Sequence, residues 1–382
     1  MKNREVGLWD LPDDKVYLKI KSPFREDFFN YAIKISGSMV KLTKLLNFKS
    51  HDSIRGYKYG YYFIPLRVVK EILLMFPKIE RINIKKQREK NIEKLKTMRG
   101  KSIKNTLPIR FSSTLAKIAG HLVGDGGIRI RNGAYTVRYA NNSIILIEQF
   151  EKDMLKVFLG VNSNKYFQKE NRKDQTYHIS FPAITGVILT TLFGPLEGDM
   201  KHVPEVILKS SKKSKSLFLR ALFDDEGSTP SSNCIRLEMA NKGIIEAMEK
   251  MIREFGIKPG EIREIDDPNS KKIKYNFHIS GFYDLRTFSK KIDFDHLEKK
   301  EKLNFLLKKY RHIQYKHRET KDLIIHKLKD KKMSLYELAQ NLERKPTAKF
   351  RKGVLDLEKN GIIKSNMLKN RLKIYSIKNI NN

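Results

Sequence analysis

One stretch of this chain occurs twice, and little else about the fold is free once that is granted. Residues 118–126 read IAGHLVGDG and residues 219–227 read LRALFDDEG, so that the closing acids, Asp125 and Glu226, stand 101 positions apart. Ala140 and Asn141 recur as Ala240 and Asn241, and His178, Ile179 and Ser180 recur as His278, Ile279 and Ser280, each at an offset of 100. Repetition at domain spacing means two copies of one structural unit. Each copy reads as helix, two strands, helix, two strands, helix. In the first copy GIRIRNG and YTVRYAN alternate like strands around a turn at Asn132 and Gly133, followed by the apolar-periodic IILIEQFEKDMLKVFL, a hairpin ending in YHISFP, and ITGVILTTLF. In the second copy IRLEMAN, KGIIEAMEKMIREFG, a hairpin ending in IKYNFHIS, and YDLRTFSKKI follow in the same order.

The repeated stretches themselves read as apolar helices built for close approach. Gly120 and Gly124 are four residues apart and share a helix face, and Ala221 offers a small side chain in the second copy. Gly126 and Gly227 follow the acids and suit helix ends, where a left-handed backbone is often needed. An acid in the last turn faces the negative end of the helix dipole. Two such acids brought together by a helix pair would repel unless a cation lay between them, which suggests a divalent metal site.

At these residues the chain resembles the LAGLIDADG family, named for this helix, most of whose members are homing endonucleases. Asp125 and Glu226 fall on the family's catalytic acid, and Gly126 and Gly227 on its final glycine. Three positions depart from the pattern: Val123 replaces the motif's first acid, His121 stands where an apolar residue is usual, and Asp225 replaces a small one. The resemblance covers about half of the chain, residues 106 to 295. It implies an α+β fold: a duplicated αββαββα pseudo-dimer with the motif helices central and a curved antiparallel sheet from each half in the DNA major groove. It also implies a site-specific double-stranded DNA endonuclease that hydrolyses phosphodiesters with Mg²⁺ held by Asp125 and Glu226, the backbone carbonyls of Gly124 and Asp225 completing the coordination.

Strand alternation nominates the groove-facing side chains. Arg129 and Arg131 alternate with Ile128 and Ile130, and Arg138 and Arg236 follow the same logic. Arginine reads guanine through two hydrogen bonds and also holds phosphate without specificity; the sequence leaves both roles open. Lys274, beside the last strand of the second copy, is a candidate for steadying charge near the scissile phosphate. His178 and His278 read as packing residues rather than catalysts.

Charge extends the reading beyond the core. Lys and Arg number 78 against 43 Asp and Glu, which points to a polyanionic partner. The excess sits at the ends: residues 1–100 hold 23 bases and 11 acids, residues 301–382 hold 22 and 8, and the middle holds 33 and 24. Residues 1–35 are weakly patterned, with Trp9, Phe24, Phe28 and Phe29 available to dock an arm onto a core. Ser38 then caps MVKLTKLL, Ser50 is a second cap before HDSIRGYKYG, and PLRVVKEILLMF is a third helix. That order is helix-turn-helix-like, with Arg55, Tyr57 and Lys58 facing DNA, although any small helical bundle could show it. Residues 85–104 are a basic run, either a solvated helix or a linker. Residues 296–318 read as a basic connector. Beyond it come three helices, with a Ser334/Glu337 capping box and Gly361 closing the third, and an alternating tail. These resemble a winged helix-turn-helix domain, with Lys349, Arg351 and Lys352 on the recognition helix and Lys369 and Arg371 in the wing, or else a protein-docking unit.

The expected division is therefore 1–105, an N-terminal helix-turn-helix-like region; 106–200 and 201–295, the two repeats; and 296–382, the winged-helix-like domain. The single cysteine, Cys234, excludes a disulfide framework or a cysteine-based zinc site. No apolar run reaches membrane-spanning length, so the expectation is a soluble, cytoplasmic, DNA-associated monomer, the duplication supplying both halves of a dimer. The rival reading is a non-cleaving DNA-binding regulator that keeps this fold; an RNA-splicing maturase is a remoter one.

Overall fold

The computed structural model describes residues 5–169, 175–229, 234–267, 272–309, 317–342, 344, 346–367 and 373–378. At its centre two helices cross: α6 (Ser113–Val123) and α10 (Lys212–Glu226), numbered with the elements introduced below. Each begins at a serine whose hydroxyl accepts a first-turn amide, Ser112 from Leu115 N at 3.3 Å and Ser211 from Ser214 N at 3.3 Å. They meet at their small residues. A Cβ on Gly120 would stand 2.6 Å from the carbonyl oxygen of Phe218 and 2.7 Å from Ala221 Cβ, so only glycine permits this approach.

The N-terminal region supplies β1 (Glu5–Val6), β2 (Tyr17–Ile20), α1 (Phe24–Ser36), α2 (Met39–Leu45), α3 (His51–Lys58), β3 (Ile64–Pro65), α4 (Leu66–Met75), α5 (Lys78–Asn91), β4 (Ile92–Lys96), β5 (Ile103–Lys104) and β6 (Ile109–Arg110). The first repeat follows as α6, β7 (Gly127–Arg131), β8 (Ala134–Asn141), α7 (Ile144–Val157), β9 (Asn164–Lys169), β10 (Gln175–Phe181) and α8 (Ala183–Phe193). After the short α9 (Glu205–Leu208), the second repeat comprises α10, β11 (Gly227–Ser228), β12 (Cys234–Met239), α11 (Lys242–Glu254), β13 (Arg263–Asp267), β14 (Lys272–Ser280) and α12 (Phe282–Lys291). The chain then forms α13 (Leu297–Lys309), α14 (His317–Asp330), β15 (Met333–Ser334), α15 (Leu335–Asn341), α16 (Ala348–Lys359), β16 (Ile363–Met367) and β17 (Lys373–Ile377).

The helix–strand order within the repeats is the one expected. Their sheets are antiparallel and share one topology, β7-β8-β10-β9 and β11-β12-β14-β13. Alternation sorts their faces: Ile128, Val137, Tyr139 and Ile179 are buried against the helices in the first, as are Ile235, Leu237, Phe277 and Ile279 in the second. The opposite faces are left open.

Four expectations change. Trp9, Phe24, Phe28 and Phe29 do pack on the core, but the three phenylalanines do so within a regular element rather than an arm: with Ala32 they form the apolar stripe of α1, a 13-residue helix. The basic run 85–104 is neither one helix nor a linker. Ile92, Leu95 and Ile103 are buried, which turns it into the strands β4 and β5 of a sheet ordered β3-β2-β4-β5. Tyr57 does not face outward; it packs among Phe29, Phe48 and Tyr62. The caps at Ser38 and Ser50 form as expected, to Lys41 N and Asp52 N. Finally, Gly126 and Gly227 are not left-handed: neither has a positive φ, and Gly227 is extended at φ −77°, ψ 151°. They are required by space, since a Cβ would lie 2.8 Å from His121 O at Gly126 and 2.5 Å from Phe223 O at Gly227.

One apolar core runs from Val6 to Leu303 and joins the N-terminal region to both repeats; a second, from Ile324 to Tyr375, belongs to the C-terminal helices and the sheet β15-β17-β16. In that second unit the Ser334/Glu337 capping box is present and Gly361 has φ +69°. No helix among the described residues is long and apolar enough to cross a membrane.

Candidate active site and nucleic-acid interface

The crossing of α6 and α10 brings the ends of both motifs, and with them Asp125 and Glu226, into one cluster. Asp125 keeps an exposed edge, and its Oδ2 accepts from Asn141 Nδ2 at 2.9 Å. Burial first, and then the carboxylate of Asp225, pushes the Asp125 carboxyl up to about 6; Lys299, Asn141 and Lys201 act against this. Burial, Asp125 and Asp225 push Glu226 up to about 7, opposed by Lys201 and Lys299. Asp225 thus acts against both acids, and Asp125 acts against Glu226.

Asp225 fits where the motif has a small residue because the other helix makes room. A Cβ at Gly124 would be 2.6 Å from Asp225 Oδ2, so the carboxylate occupies the space glycine leaves. There Tyr139 OH donates to it at 2.7 Å and His121 Nδ1 lies within 3.2 Å of both oxygens. His121 and Asp225, two of the three departures from the motif, are therefore partners. The second motif's own first acid, Asp224, is also buried and raised to about 7, by burial before all else. It accepts from the amides of Asp295 and His296 at 2.9–3.2 Å and so pins the start of α13 to the end of α10.

That anchorage delivers a residue that sequence reasoning misses. Lys299, in the first turn of α13, reaches back to the carbonyls of Phe223, Asp224 and Asp225. Lys201 does the same at the first motif, donating to Gly124 O at 2.5 Å. Burial lowers the pKa of both lysines, while the surrounding acids pull it back up. The carbonyls of Gly124 and Asp225, expected as metal ligands, thus face lysine ammonium groups here. Lys299 also corrects the reading of residues 296–318 as a connector, since the first turns of α13 belong to the core. A signal exists: each lysine stands eight residues beyond the closing helix of its repeat, α8 or α12.

Lys274 is elsewhere, 3.6 Å from Glu238 on the open face of the second sheet; the lysines that act on Asp125 and Glu226 are Lys201 and Lys299.

Whether these residues suit a divalent ion can be judged from their donors. Among the described residues no group of three or more His, Cys, Asp or Glu side chains forms a ready-made cage. Mg²⁺ does not require one: it is commonly held by one or two carboxylates, with water and substrate phosphate supplying the rest. Two carboxylates raised by burial and by neighbouring carboxylates, beside a cleft of about 440 Å³ lined by Glu226, Lys201 and Asn241, match that demand.

The open sheet faces carry the expected arginines. Arg129 and Arg131 are paired by register with Thr136 and Ala134, and Arg138 with Gly127 and Ser180, all on the face away from the core. Arg129 is 3.7 Å from Glu197, and Arg131 and Arg138 are exposed. His178 packs on this open face, its ring stacked on Tyr166 at 4.8 Å. On the second sheet Arg236 is opposite His278 and 3.7 Å from Glu238. Burial, Arg236 and Arg263 hold His278 below the usual histidine range. Arg55 is exposed and Lys58 half-buried on α3, while Lys349, Arg351 and Lys352 are exposed on α16; Lys369 and Arg371 lie outside the described residues.

Residues 213–293 match the family described as LAGLIDADG-like domain. The chain is 27% identical over 198 residues to a replication factor C small subunit of Methanocaldococcus jannaschii, a stretch that is 52% of this chain and 10% of that protein. It thus spans about a tenth of that relative's length. Among solved structures, I-DmoI in complex with its target DNA and in the presence of manganese superposes at a TM-score of 0.37, with 19% identity, over 47% of this chain and 93% of that one. Full-length DUF199/WhiA from Thermatoga maritima does so at 0.37, with 14% identity, over 65% and 92%. The second repeat thus matches the LAGLIDADG-like domain family, and the first repeats its order of elements around the paired motif helices.

Proposed function

We propose that this protein is a site-specific, divalent-metal-dependent endonuclease of double-stranded DNA, of the homing-endonuclease kind. The observation that carries this reading is the pair Asp125 and Glu226 at the ends of the two motif helices, both carboxyls raised by burial and by neighbouring carboxylates. Non-cleaving binding gives no reason to hold two repelling carboxylates there. Asp125 and Glu226 would hold Mg²⁺, with the carbonyls of Gly124 and Asp225 as further oxygens, and the ion would supply Lewis-acid charge at the phosphate and lower the pKa of water. Asn141 orients Asp125. Lys201 and Lys299 keep two positive charges beside the acids, where charge develops on the phosphate oxygens.

The open sheet faces would lie in the major groove, with Arg129, Arg131, Arg138, Arg236 and Lys274 against bases and phosphates. In this reading residues 1–105 form a helix-turn-helix-like region presenting Arg55 and Lys58, and residues 296–382 a winged-helix-like domain presenting Lys349, Arg351 and Lys352. The two repeats divide at 200/201, and one chain supplies both halves, so the active species is a monomer. The separate C-terminal core with its exposed basic helix favours a second reading, a regulator that binds DNA without cutting.

The test is a selection from a duplex library in Ca²⁺, which supports binding, followed by transfer to Mg²⁺ and sequencing of the ends. Defined double-strand breaks that vanish in Asp125→Asn and Glu226→Gln support the endonuclease. A sharp consensus that stays intact in Mg²⁺ and Mn²⁺ supports the regulator.

A further inference from the structure

The N-terminal sheet has a face that the proposed function leaves unused. Its inner side is complete, with Val16, Leu18, Ile20, Ile92, Leu95 and Ile103 buried. On the outer side Lys19 pairs in register with Lys94, and Lys94 with Lys104, so three lysines stand directly opposite one another across β2, β4 and β5. Lys96 follows two residues along β4. Like charges in direct cross-strand register destabilise a sheet, and nothing in the packing of the inner face demands lysine here. Glu93, 3.5 Å from Lys94, offsets one charge of the row.

This face continues into an aromatic turn. Lys19 and Lys96 both hold their ammonium groups over the ring of Phe63, at 5.8 and 4.6 Å, and Lys19 Nζ donates to the carbonyl of Gly60. The turn so tethered exposes Tyr59, Tyr61 and Tyr62 at 46%, 75% and 59%, directly after α3 and its Arg55 and Lys58. Beyond Lys96, the loop after β4 carries the exposed Arg99 and Lys101. Arg99 lines one cleft of about 440 Å³ with Asn132 and Gly133, the tip of the hairpin that bears Arg131.

We infer that the Lys19–Lys94–Lys104 row, with Lys96 and the Tyr59–Tyr62 turn, is a binding site for the phosphate backbone of duplex DNA flanking the sequence held by the first sheet. Lysines on neighbouring strands, about 4.7–4.9 Å apart at the backbone, track a line of phosphates without reading bases, and tyrosine hydroxyls add donors to the same oxygens. The charge of the row is complementary to a polyanion; one end abuts the turn after α3, and Lys96 leads through the loop bearing Arg99 to the arginine-bearing hairpin. The inference rests on the proposed double-stranded DNA binding.

The test is a salt titration of duplex binding by the full chain in Ca²⁺, comparing the wild type with Lys94→Gln/Lys96→Gln/Lys104→Gln. Each phosphate that is no longer neutralised lowers the slope of log K against log[salt] by about 0.9, so the triple variant gives up about 2 to 3 units of slope. Its ratio of target to random-duplex affinity stays unchanged, because the row reads no base. The corresponding triple arginine variant retains the slope. Lys104→Gln alone, at an exposed position, removes about one unit, which keeps the test available if the triple glutamine variant fails to fold. An unchanged slope in a protein that binds duplex overturns this site alone. Weakening confined to single-stranded DNA overturns the assignment to duplex, and a wild type that binds no duplex overturns the proposed function with it.

Discussion

His121 Nδ1, on the first motif helix, lies 3.1 and 3.2 Å from the two carboxylate oxygens of Asp225 on the second, and neither side chain is exposed. Each residue alone breaks the family pattern; together they form a buried pair that ties the repeats to one another. Their positional counterparts in the other repeat are Leu222 and Gly124, which defines a clean exchange. His121→Leu alone strands a buried carboxylate and costs about 2–4 kcal/mol, whereas His121→Leu with Asp225→Gly removes both partners, leaves only the neutral Tyr139 hydroxyl without its acceptor, and costs less than the two singles summed by about 1–2 kcal/mol. Urea unfolding of the two singles and the double measures the coupling. Additive losses would mean the pair is not a unit.

The acids of the centre make stability fall as pH rises. A carboxyl raised in the folded state binds its proton more tightly there than in the unfolded chain. Its contribution is fully present below the unfolded value, near 4, and is lost as pH climbs through the folded value. For Asp125 that value is about 6, and for Glu226 and Asp224 about 7. Metal-free protein is therefore expected to melt at progressively lower temperature between about pH 4.5 and 7.5. Asp125→Asn and Glu226→Gln each flatten that decline and raise the melting temperature at the upper end of the range. Added Mg²⁺ stabilises the wild type there and loses its effect near the lower end, where the acids are protonated. A melting temperature that instead climbs over this range contradicts the shifts.

Lys201 and Lys299 face the same acids from opposite motifs. Replacing either with Met keeps the stem and deletes the charge. If they stabilise the charge that builds on phosphate, cleavage drops about 10²- to 10³-fold, a scale set by preorganised donors elsewhere. Duplex affinity in Ca²⁺ should move little by comparison, as phosphate contacts along the sheets dominate it. Binding and cleavage falling in parallel would make the lysines DNA ligands rather than catalytic ones.

Why the acids can be read from the sequence and the lysines cannot is a matter of local pattern. Asp125 and Glu226 close helices with small residues and glycine at fixed spacing, and the offset repeats in Asn141/Asn241 and His178/His278 confirm the register. Lys201 and Lys299 lie among many lysines, and only the fold of the intervening sheet and helices returns them to the motif ends. The placement of Lys299 depends on Asp224 capping α13, a long-range contact that no periodicity announces. The stripe of α1 is equally present in Phe24, Phe28 and Ala32 but is hidden by intervening charges. Glycine is necessary after each acid, as the sequence implies, but for a different reason: sequence shows that a small residue is there, while backbone dihedrals and neighbouring carbonyls show whether φ or space demands it.

That distinction gives opposite signs to one substitution in two helices. At Gly120 an added methyl meets Phe218 O at 2.6 Å and Ala221 Cβ at 2.7 Å, and the obstacle is the backbone of α10, which cannot swing aside as a side chain tip could. Gly120→Ala must push the motif helices apart, loosening the packing under both acids, and is expected to destabilise by about 1–3 kcal/mol or more. At Gly353, inside α16, a Cβ has nothing within 4 Å and no positive φ to oppose it. Gly353→Ala is expected to stabilise its helix by about 0.5–1 kcal/mol, since alanine loses less backbone freedom on folding than glycine. Because the two glycines belong to different apolar cores, amide hydrogen exchange can read each separately. Protection should fall in α6 and α10 for the first variant and rise in α16 for the second. A Gly120→Ala protein with undiminished protection in α6 would mean that the helices do not cross at this distance, and the geometry that brings Asp125 to Glu226 would fall with it.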